Sequence, residues 1–357
     1  MSTLLRMPQN ESELILNAPK RKEILKEGPP RNIRNNILGK GAYGTVIKAV
    51  YKGKSVAVKI VNNLDDCNHQ TMRNESHVLG WRHINIIRIF KVEISMNFAI
   101  VIMERFLGHC LQQVLNCTEL PLKHRVYITL DVLAALMYCH KRNLLHMDVK
   151  PQNVMITWAN NENPLNKCYT CKLCDFGSSV KISEQTTTTK GIIKGTVRYM
   201  APEALKEEYL TSSADIYSLG ITLWQMKYRR LPYHWLECNE MVAYQVVKNN
   251  LRPTAWPSRK PINNSPSLSY QCFWSKTLVD FSENPSKSAQ NIIKASKTPL
   301  GTLDESLDPE TMFQAGNATV NPIKEQKYDD LYIRCWHNDC SRRPSGEVLT
   351  KDLKELL

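Results

Sequence analysis

Apolar residues change their spacing part-way along the chain, and that change limits the folds open to it. Between residues 37 and 102 they fall in short β-branched runs broken by Gly and Asn, with Val46, Val50, Val56, Val58, Ile60, Ile87, Ile89, Ile100 and Ile102 among them. Such runs read as strands. One stretch inside this region, from residue 67 to about 82, carries Met72, Glu75 and Leu79 at helical spacing. From residue 122 the period is helical throughout: Val126, Leu130, Leu133, Met137 and Tyr138 mark a helix over 123–142, and 214–227 and 348–357 read as two more. A strand-rich third followed by a helix-rich remainder predicts an α+β fold in two lobes.

Two segments stand outside this pattern. Residues 1–33 are polar and mixed in charge, with Gly28-Pro29-Pro30 near their end, and read as a flexible tail. Residues 257–327 hold seven of the 18 prolines together with many Ser and Asn, and read as a solvated, disordered insertion. The remainder suits one large domain, 34–357, with no internal repeat. A composition of 42% hydrophobic and 23% charged residues excludes a wholly disordered chain. No apolar run approaches the ~20 residues a membrane helix needs, and residues 1–10 lack the apolar centre of a signal peptide. Eleven cysteines without an export signal read as free thiols in a reducing compartment. A soluble cytoplasmic protein, with no membrane partner, is expected. The net charge is +13, but no basic run exceeds Lys20-Arg21-Lys22, and acids are interspersed. Nucleic-acid binding is therefore the lesser reading.

Several short motifs carry chemistry. Gly39-Lys40-Gly41-Ala42-Tyr43-Gly44-Thr45-Val46 is glycine-rich and sits between two strand patterns. It reads either as a tight hairpin or as a loop whose backbone amides cover phosphates. In Val56-Ala57-Val58-Lys59 a strand places a lysine where Glu75, on the following helix, could pair with it and hold the ammonium toward an anion. His146-Met147-Asp148-Val149-Lys150-Pro151-Gln152-Asn153 supplies a carboxylate, an ammonium two residues on and an amide five residues on. Phosphoryl transfer to a hydroxyl needs such a set: an orienting group, positive charge and an oxygen ligand for Mg²⁺. His146 alone reads better as a packed histidine than as a catalyst. Asp175 opens Asp175-Phe176-Gly177, a second carboxylate able to take Mg²⁺, and Glu203 closes Ala201-Pro202-Glu203.

In this order the motifs resemble those of the eukaryotic protein kinases. Asp215 in Asp215-Ile216-Tyr217-Ser218-Leu219-Gly220 and Arg343 before Pro344 match later landmarks, so the likeness covers about 34–356 apart from the insertion. The resemblance implies a bilobal kinase fold: an N-lobe at 34–103, a hinge at 104–107 and a C-lobe at 108–357. It also implies roles. Gly39, Gly41 and Gly44 would cover the ATP phosphates, and Lys59, held by Glu75, would bind them. Leu38, Val46, Ala57 and Met155 would enclose adenine, with Met103 as gatekeeper before hinge residues Glu104 and Phe106. Asp148 would orient the substrate hydroxyl, Lys150 would steady the γ-phosphate, and Asn153 and Asp175 would hold Mg²⁺. Thr196 would position the substrate. His146, Phe176, Glu203, Asp215 and Arg343 would be structural.

Lys150 and Thr196 point to serine or threonine as acceptor, since tyrosine kinases carry a different pattern after the aspartate. Met147 stands where many kinases have an arginine that pairs with an activation-segment phosphate, so dependence on phosphorylation of threonines 186–189 is expected to be weak. Cys171-Lys172-Leu173-Cys174 running into Asp175, the stretch from Asp215 to Met226, and Asn250-Leu251-Arg252-Pro253 resemble the Mos kinases. That likeness implies an activator of MAP-kinase kinase in oocyte meiosis; a monomer is expected. A kinase of another branch, or a kinase-shaped scaffold, are the alternatives. Cys168, Cys171 and Cys174 lack a fourth metal ligand and read as free strand cysteines, with Cys174 placed to face a nucleotide as a thiol.

Overall fold

The computed structural model describes residues 14–16, 37–41, 44–62, 66–95, 98–158, 169–182, 195–253 and 321–357. The β-branched runs form a sheet of β1 (Leu14–Leu16), β2 (Ile37–Gly41), β3 (Gly44–Tyr51), β4 (Lys54–Asn62), β5 (Ile89–Ile94) and β6 (Phe98–Glu104). Its order is β1-β3-β4-β6-β5, with β2 also paired to β3. Register divides its side chains by face. Val46 lies opposite Lys59, Lys59 opposite Val101, and Ala57 opposite Met103, so these five share one face. Ile47, Ala49, Val56, Val58, Ile60, Phe98, Ile100 and Ile102 form a separate buried cluster on the other. One face of the sheet is thus closed by its own apolar residues, and the other is left for the helix and the site.

That helix is α1 (Asp66–Glu75), continued only by a 3₁₀ turn at Ser76–Val78. It stops short of the expected end at residue 82 because Leu79 leaves helical geometry to bridge Ile89, and Gly80 follows at φ 79°. Leu79 is accordingly exposed, at 45%, and not part of the buried stripe.

Two further expectations need correction. Leu14–Leu16 lies within the segment read as tail, yet pairs in parallel with Ala49, Val50 and Tyr51. The pairing with β2 begins at Ile47, so the rest of the β3 edge offers unpaired backbone groups that an apolar Leu-Ile-Leu run can use. The insertion read over 257–327 also ends early, because α7 (Pro322–Cys335) starts inside it, with Asn321 as N-cap and Pro at its first turn. Residues 257–320 lie outside the described residues.

The helical half contains α2 (Leu111–Cys117), α3 (Leu122–His140), α4 (Pro202–Leu205), α5 (Ser213–Tyr228), α6 (Asn239–Lys248), α7 and α8 (Gly346–Lys354). A three-stranded sheet, β7 (Gly108–Cys110), β9 (Val154–Trp158) and β10 (Tyr169–Leu173), and a two-stranded one, β8 (Leu144–Leu145) with β11 (Val180–Lys181), complete it. Every residue from Ala214 to Met226 on α5 is buried, which makes this helix the post on which the loops stand. Lys227 bridges Asp329 at 2.5 Å and Glu325 at 3.2 Å, and Arg125 of α3 pairs with Glu325, so α7 is held to both α3 and α5. Eight cysteines among the described residues are free thiols. No helix among the described residues is long and apolar enough to cross a membrane.

Candidate active site

Lys59 sits on the open sheet face, and its ammonium joins both halves of the molecule. Nζ lies 2.8 Å from Glu75 Oε1 on α1 and 2.9 Å from Asp175 Oδ1 on the far side. Burial alone would lower the ammonium's pKa, but the charges of Glu75 and Asp175 outweigh it and raise it. At Asp175 burial pushes upward and is overcome by Lys59, with Lys150 adding to the effect, so its pKa falls to about 2. The carboxylate is therefore ionised at neutral pH. The other oxygen of Glu75, Oε2, accepts from Phe176 N at 3.2 Å, which ties α1 to the Asp-Phe-Gly turn.

The loop bearing Asp148 hangs from α5. Asp215 is fully buried and takes His146 N at 2.9 Å on Oδ2 and Met147 N at 2.8 Å on Oδ1, while His140 Nε2 lies 2.8 Å from Oδ2. These bonds hold Met147 at φ 65°, a backbone state that non-glycine residues seldom adopt. Burial lowers the pKa of His146. Its Nδ1 accepts from Asp148 N at 3.2 Å and its Nε2 donates to the Cys174 carbonyl at 3.2 Å, the pattern of a neutral imidazole. Its ring meets that of Phe176 edge-on with centroids 4.8 Å apart. Asp215, His146 and Phe176 thus form a continuous support beneath the turn that carries Asp175.

The Asp148 carboxylate faces four donors. Thr196 supplies its N–H at 2.9 Å and its hydroxyl at 2.8 Å to Oδ1. Lys150 Nζ at 2.7 Å and Asn153 Nδ2 at 2.9 Å reach Oδ2. Lys150 also bonds the Thr196 hydroxyl at 2.6 Å. Close approach of the Thr196 loop depends on Gly195 (φ 110°), where a Cβ would lie 2.3 Å from the Met147 carbonyl oxygen.

The remaining expected residues divide by element. Leu38, Gly39, Gly41 and Gly44 lie on the β2–β3 hairpin. Gly44, at φ 124°, passes so near β4 that a Cβ would sit 2.2 Å from the Ile60 carbonyl oxygen, whereas at Gly39 nothing stands within 4 Å. Met155, across the cleft on β9, pairs with Cys110. Glu104 is a strap: Oε1 accepts from Arg88 N and from Lys172 Nζ, each at 2.7 Å, and that ammonium stands 5.0 Å from the Phe106 ring. Glu203 and Arg343 form a buried two-bond pair at 2.5 and 2.8 Å, and Arg343 Nη1 also donates to the Ser213 carbonyl at the start of α5.

Sequence reasoning missed Asn74, whose side-chain amide donates to the Gly177 carbonyl at 2.8 Å and whose backbone carbonyl accepts from the Ser179 hydroxyl at 3.4 Å. Thr71, Asn74, Glu75 and Val78, spaced i, i+3, i+4 and i+7, are all buried. Polar members in an otherwise core-facing stripe were the available signal. The Cys174 thiol has its pKa raised strongly by burial and donates to the Asn153 carbonyl at 3.2 Å, so it is a packed thiol held in its neutral form.

Residues 33–354 match the model of the protein kinase domain. The chain belongs to that family. Within the kinase domain, similarity extends to the serine/threonine-protein kinase mos of Patiria pectinifera, 35% identical over 232 residues, 62% of this chain and 63% of that one. It extends also to the proto-oncogene serine/threonine-protein kinase mos of Rattus norvegicus, 36% identical over 236 residues, 60% of this chain and 66% of that one. The protein of the same name from Mus musculus is 36% identical over 238 residues, 61% and 66%. The matched stretch spans less than two thirds of each relative.

Proposed function

We propose that this kinase domain transfers the γ-phosphate of ATP to serine or threonine of a protein substrate, and that the substrate is a MAP-kinase kinase, in a cytoplasmic, monomeric, Mos-like enzyme of oocyte meiosis. The observation that carries the catalytic part is the Lys59 ammonium shared between Glu75 and Asp175. It places a fixed cation and an ionised carboxylate at the opening between the two halves. The substrate and the meiotic setting rest on the likeness to the mos proteins.

The donor set fits Mg²⁺. Asn153 turns its amide nitrogen to Asp148, leaving Oδ1 for a hard cation, and Asp175 keeps one oxygen that Lys59 does not occupy. Among the described residues no three or more His, Cys, Asp or Glu side chains form a metal cage, which suits an ion bound largely through substrate phosphates. Bound there, Mg²⁺ would neutralise charge on the β- and γ-phosphates. Gly39, Gly41 and Gly44 cover the phosphates, and Lys59 fixes the α- and β-groups. Leu38, Val46, Ala57 and Met155 enclose the base beside Met103 and the 104–107 hinge. Asp148 orients the acceptor hydroxyl and takes its proton as oxygen bonds to the γ-phosphorus and the bond to the β,γ-bridging oxygen breaks. Lys150 offsets the charge that develops, and Thr196 keeps Asp148 in place. Asp215, His146, Phe176 and the Glu203–Arg343 pair hold this frame.

Incubation of the purified chain with Mg-ATP and inactive MAP-kinase kinase should phosphorylate serine or threonine on that substrate, mapped by mass spectrometry. Lys59→Met should abolish transfer, because phosphate positioning is lost. A wild-type chain that binds nucleotide but modifies nothing would instead be a scaffold.

Met147 bears on regulation. Its side chain is buried in the main core and carries no charge. A phosphate on 186–189 therefore finds no guanidinium at this position. Phosphatase-treated enzyme, or one with those four threonines changed to Ala, should retain activity within about threefold, an energy difference of less than ~1 kcal/mol. Complete dependence on phosphorylation would refute this reading.

A further inference from the structure

Two residues beyond Thr196, Arg198 stands in the 3₁₀ turn Val197–Tyr199. Its guanidinium is fixed by backbone oxygens: Nη1 donates to the Pro232 and Tyr233 carbonyls at 2.9 and 2.7 Å, and Nη2 to Leu236 at 2.9 Å. A second arginine, Arg230, is exposed at the start of the same 230–236 loop. Neither forms an ion pair among the described residues. The charges of both reach His234, which lies between the carbonyls that Arg198 grips; burial is the larger cause and the two arginines add to it in lowering that imidazole's pKa. Glu237, one residue past Leu236, is exposed on the same stretch, and among the described residues no ion pair joins it to either arginine. Glu240, in the first turn of α6, has its carboxyl pKa lowered by hydrogen bonding to its own backbone N–H and to the Cys238 side chain. Carbonyl bonds hold a guanidinium still without neutralising it, so its charge stays available to a ligand.

We propose that Arg198 and Arg230 form an anion subsite that selects protein substrates carrying a carboxylate or phosphoryl group next to the target hydroxyl. This rests on the kinase reading and deepens it. Thr196 N bonds the Asp148 carboxylate directly. Two Cα steps separate Thr196 from Arg198, about 8 Å at most. An extended peptide advances about 3.3–3.6 Å per residue, so an acceptor held at Asp148 brings side chains one to three residues away within reach of the pair. Val197, between the two, packs against the cluster of Tyr233, Val242 and Val246, so the loop presenting Arg198 is anchored on both sides.

The test uses phosphatase-treated enzyme and serine peptides of neutral background in which Asp, phosphoserine or Lys is placed one to three residues to either side of the acceptor. Both kcat/KM and the affinity of fluorescently labelled peptides, by anisotropy, are measured. Asp and phosphoserine peptides should exceed the neutral peptide by about threefold to tenfold at low salt, and Lys peptides should fall below it. The ratios should shrink toward one near 1 M salt, where screening extends over only about 3 Å. Arg230→Glu leaves the pair with no net charge and should flatten the order, and Arg198→Gln, which leaves one positive charge, should weaken it. Should Arg198→Gln misfold for want of its three carbonyl bonds, the exposed Arg230→Glu still decides. A preference confined to phosphoserine assigns the subsite to previously phosphorylated substrates, and one shared with Asp assigns it to carboxylates as well. Equal values for Asp, neutral and Lys peptides, or an order untouched by Arg230→Glu, would overturn the subsite. Absent turnover on every peptide would defeat the kinase reading alone, because the anisotropy ranking needs no chemistry.

Discussion

Replacing Asp148 by Asn should lower the rate of phosphate transfer by about 10²–10⁴-fold while leaving Mg-nucleotide affinity within about twofold. The expected factor is that of a positioned general base. The side chain keeps its volume but loses its charge, and with it the strength of four donors now directed at it from Thr196, Lys150 and Asn153. An amide has one acceptor oxygen, so its NH₂ group must face some of those donors. The Thr196 loop is then loosened at the point where an acceptor hydroxyl would sit. The nucleotide contacts proposed above involve other residues, Lys59 and the β2–β3 hairpin, and Lys59 bonds Glu75 and Asp175 without Asp148. The two halves of the expectation are measured separately, by nucleotide titration and by single-turnover transfer. A variant with turnover within tenfold of wild type would remove Asp148 from the chemistry. Loss of nucleotide binding would show that the carboxylate supports the phosphate side of the cleft instead.

How much of this was legible in the sequence depended on whether the determining contact was local. The division of β3, β4 and β6 into two faces follows from alternation alone, and Lys59 falls on the open face because its neighbours Val58 and Ile60 must point to the other. The extent of α5 was legible to within a residue at each end, since apolar residues such as Ile216, Leu219, Leu223 and Met226 recur at helical spacing through Ser213–Tyr228. Local pattern failed where a distant backbone competes. Leu79 has helical spacing but is claimed by Ile89. Leu14–Leu16 is too short to register as a strand without the open β3 edge beside it. The beginning of α7 is hidden among polar and proline-rich residues, and its place is fixed by ionic contacts with Arg125 and Lys227, some 200 and 100 positions earlier.

The site shows the same division. Motif residues were legible individually because their chemistry is specific to residue type. Their grouping was not, because Lys59 and Asp175 lie 116 positions apart and Thr196 and Asp148 lie 48 apart. Arg198 illustrates the limit well: nothing in Thr196-Val197-Arg198-Tyr199 indicates that three carbonyls of a later loop will grip it. Asn74 was equally hidden, as a polar residue beside Glu75 suggests solvent unless the helix is known to turn that side to the Asp-Phe-Gly segment.

Asp215→Ala should cost about 3–5 kcal/mol of stability, the loss expected when one partner of a buried charged network is removed. That is a fall in Tm of roughly 5–15 °C. The substitution leaves two buried N–H groups, of His146 and Met147, without the acceptors they now have. Those bonds also hold Met147 at its positive φ, so the loop should relax toward ordinary backbone and carry Asp148 with it. Activity should therefore fall as in Asp148→Asn, but together with stability, which separates a supporting role from a chemical one. Asp215→Asn keeps one acceptor oxygen and should fall between. The dependence on pH has a definite sign. At Asp215 burial pushes the carboxyl's pKa upward and the hydrogen bonds from His140 and the loop override it, leaving the pKa below its ordinary value. A depressed carboxyl contributes stability that is fully present above the unfolded pKa of about 3.9 and is lost as pH falls through the lower folded value. The gap in stability between wild type and Asp215→Ala should accordingly be level from pH 7 to about pH 5 and close below pH 4, measured by denaturant titration at each pH. A gap that widens on acidification, or a variant as stable as wild type at pH 7, would mean that the loop carrying Asp148 is held by something other than α5.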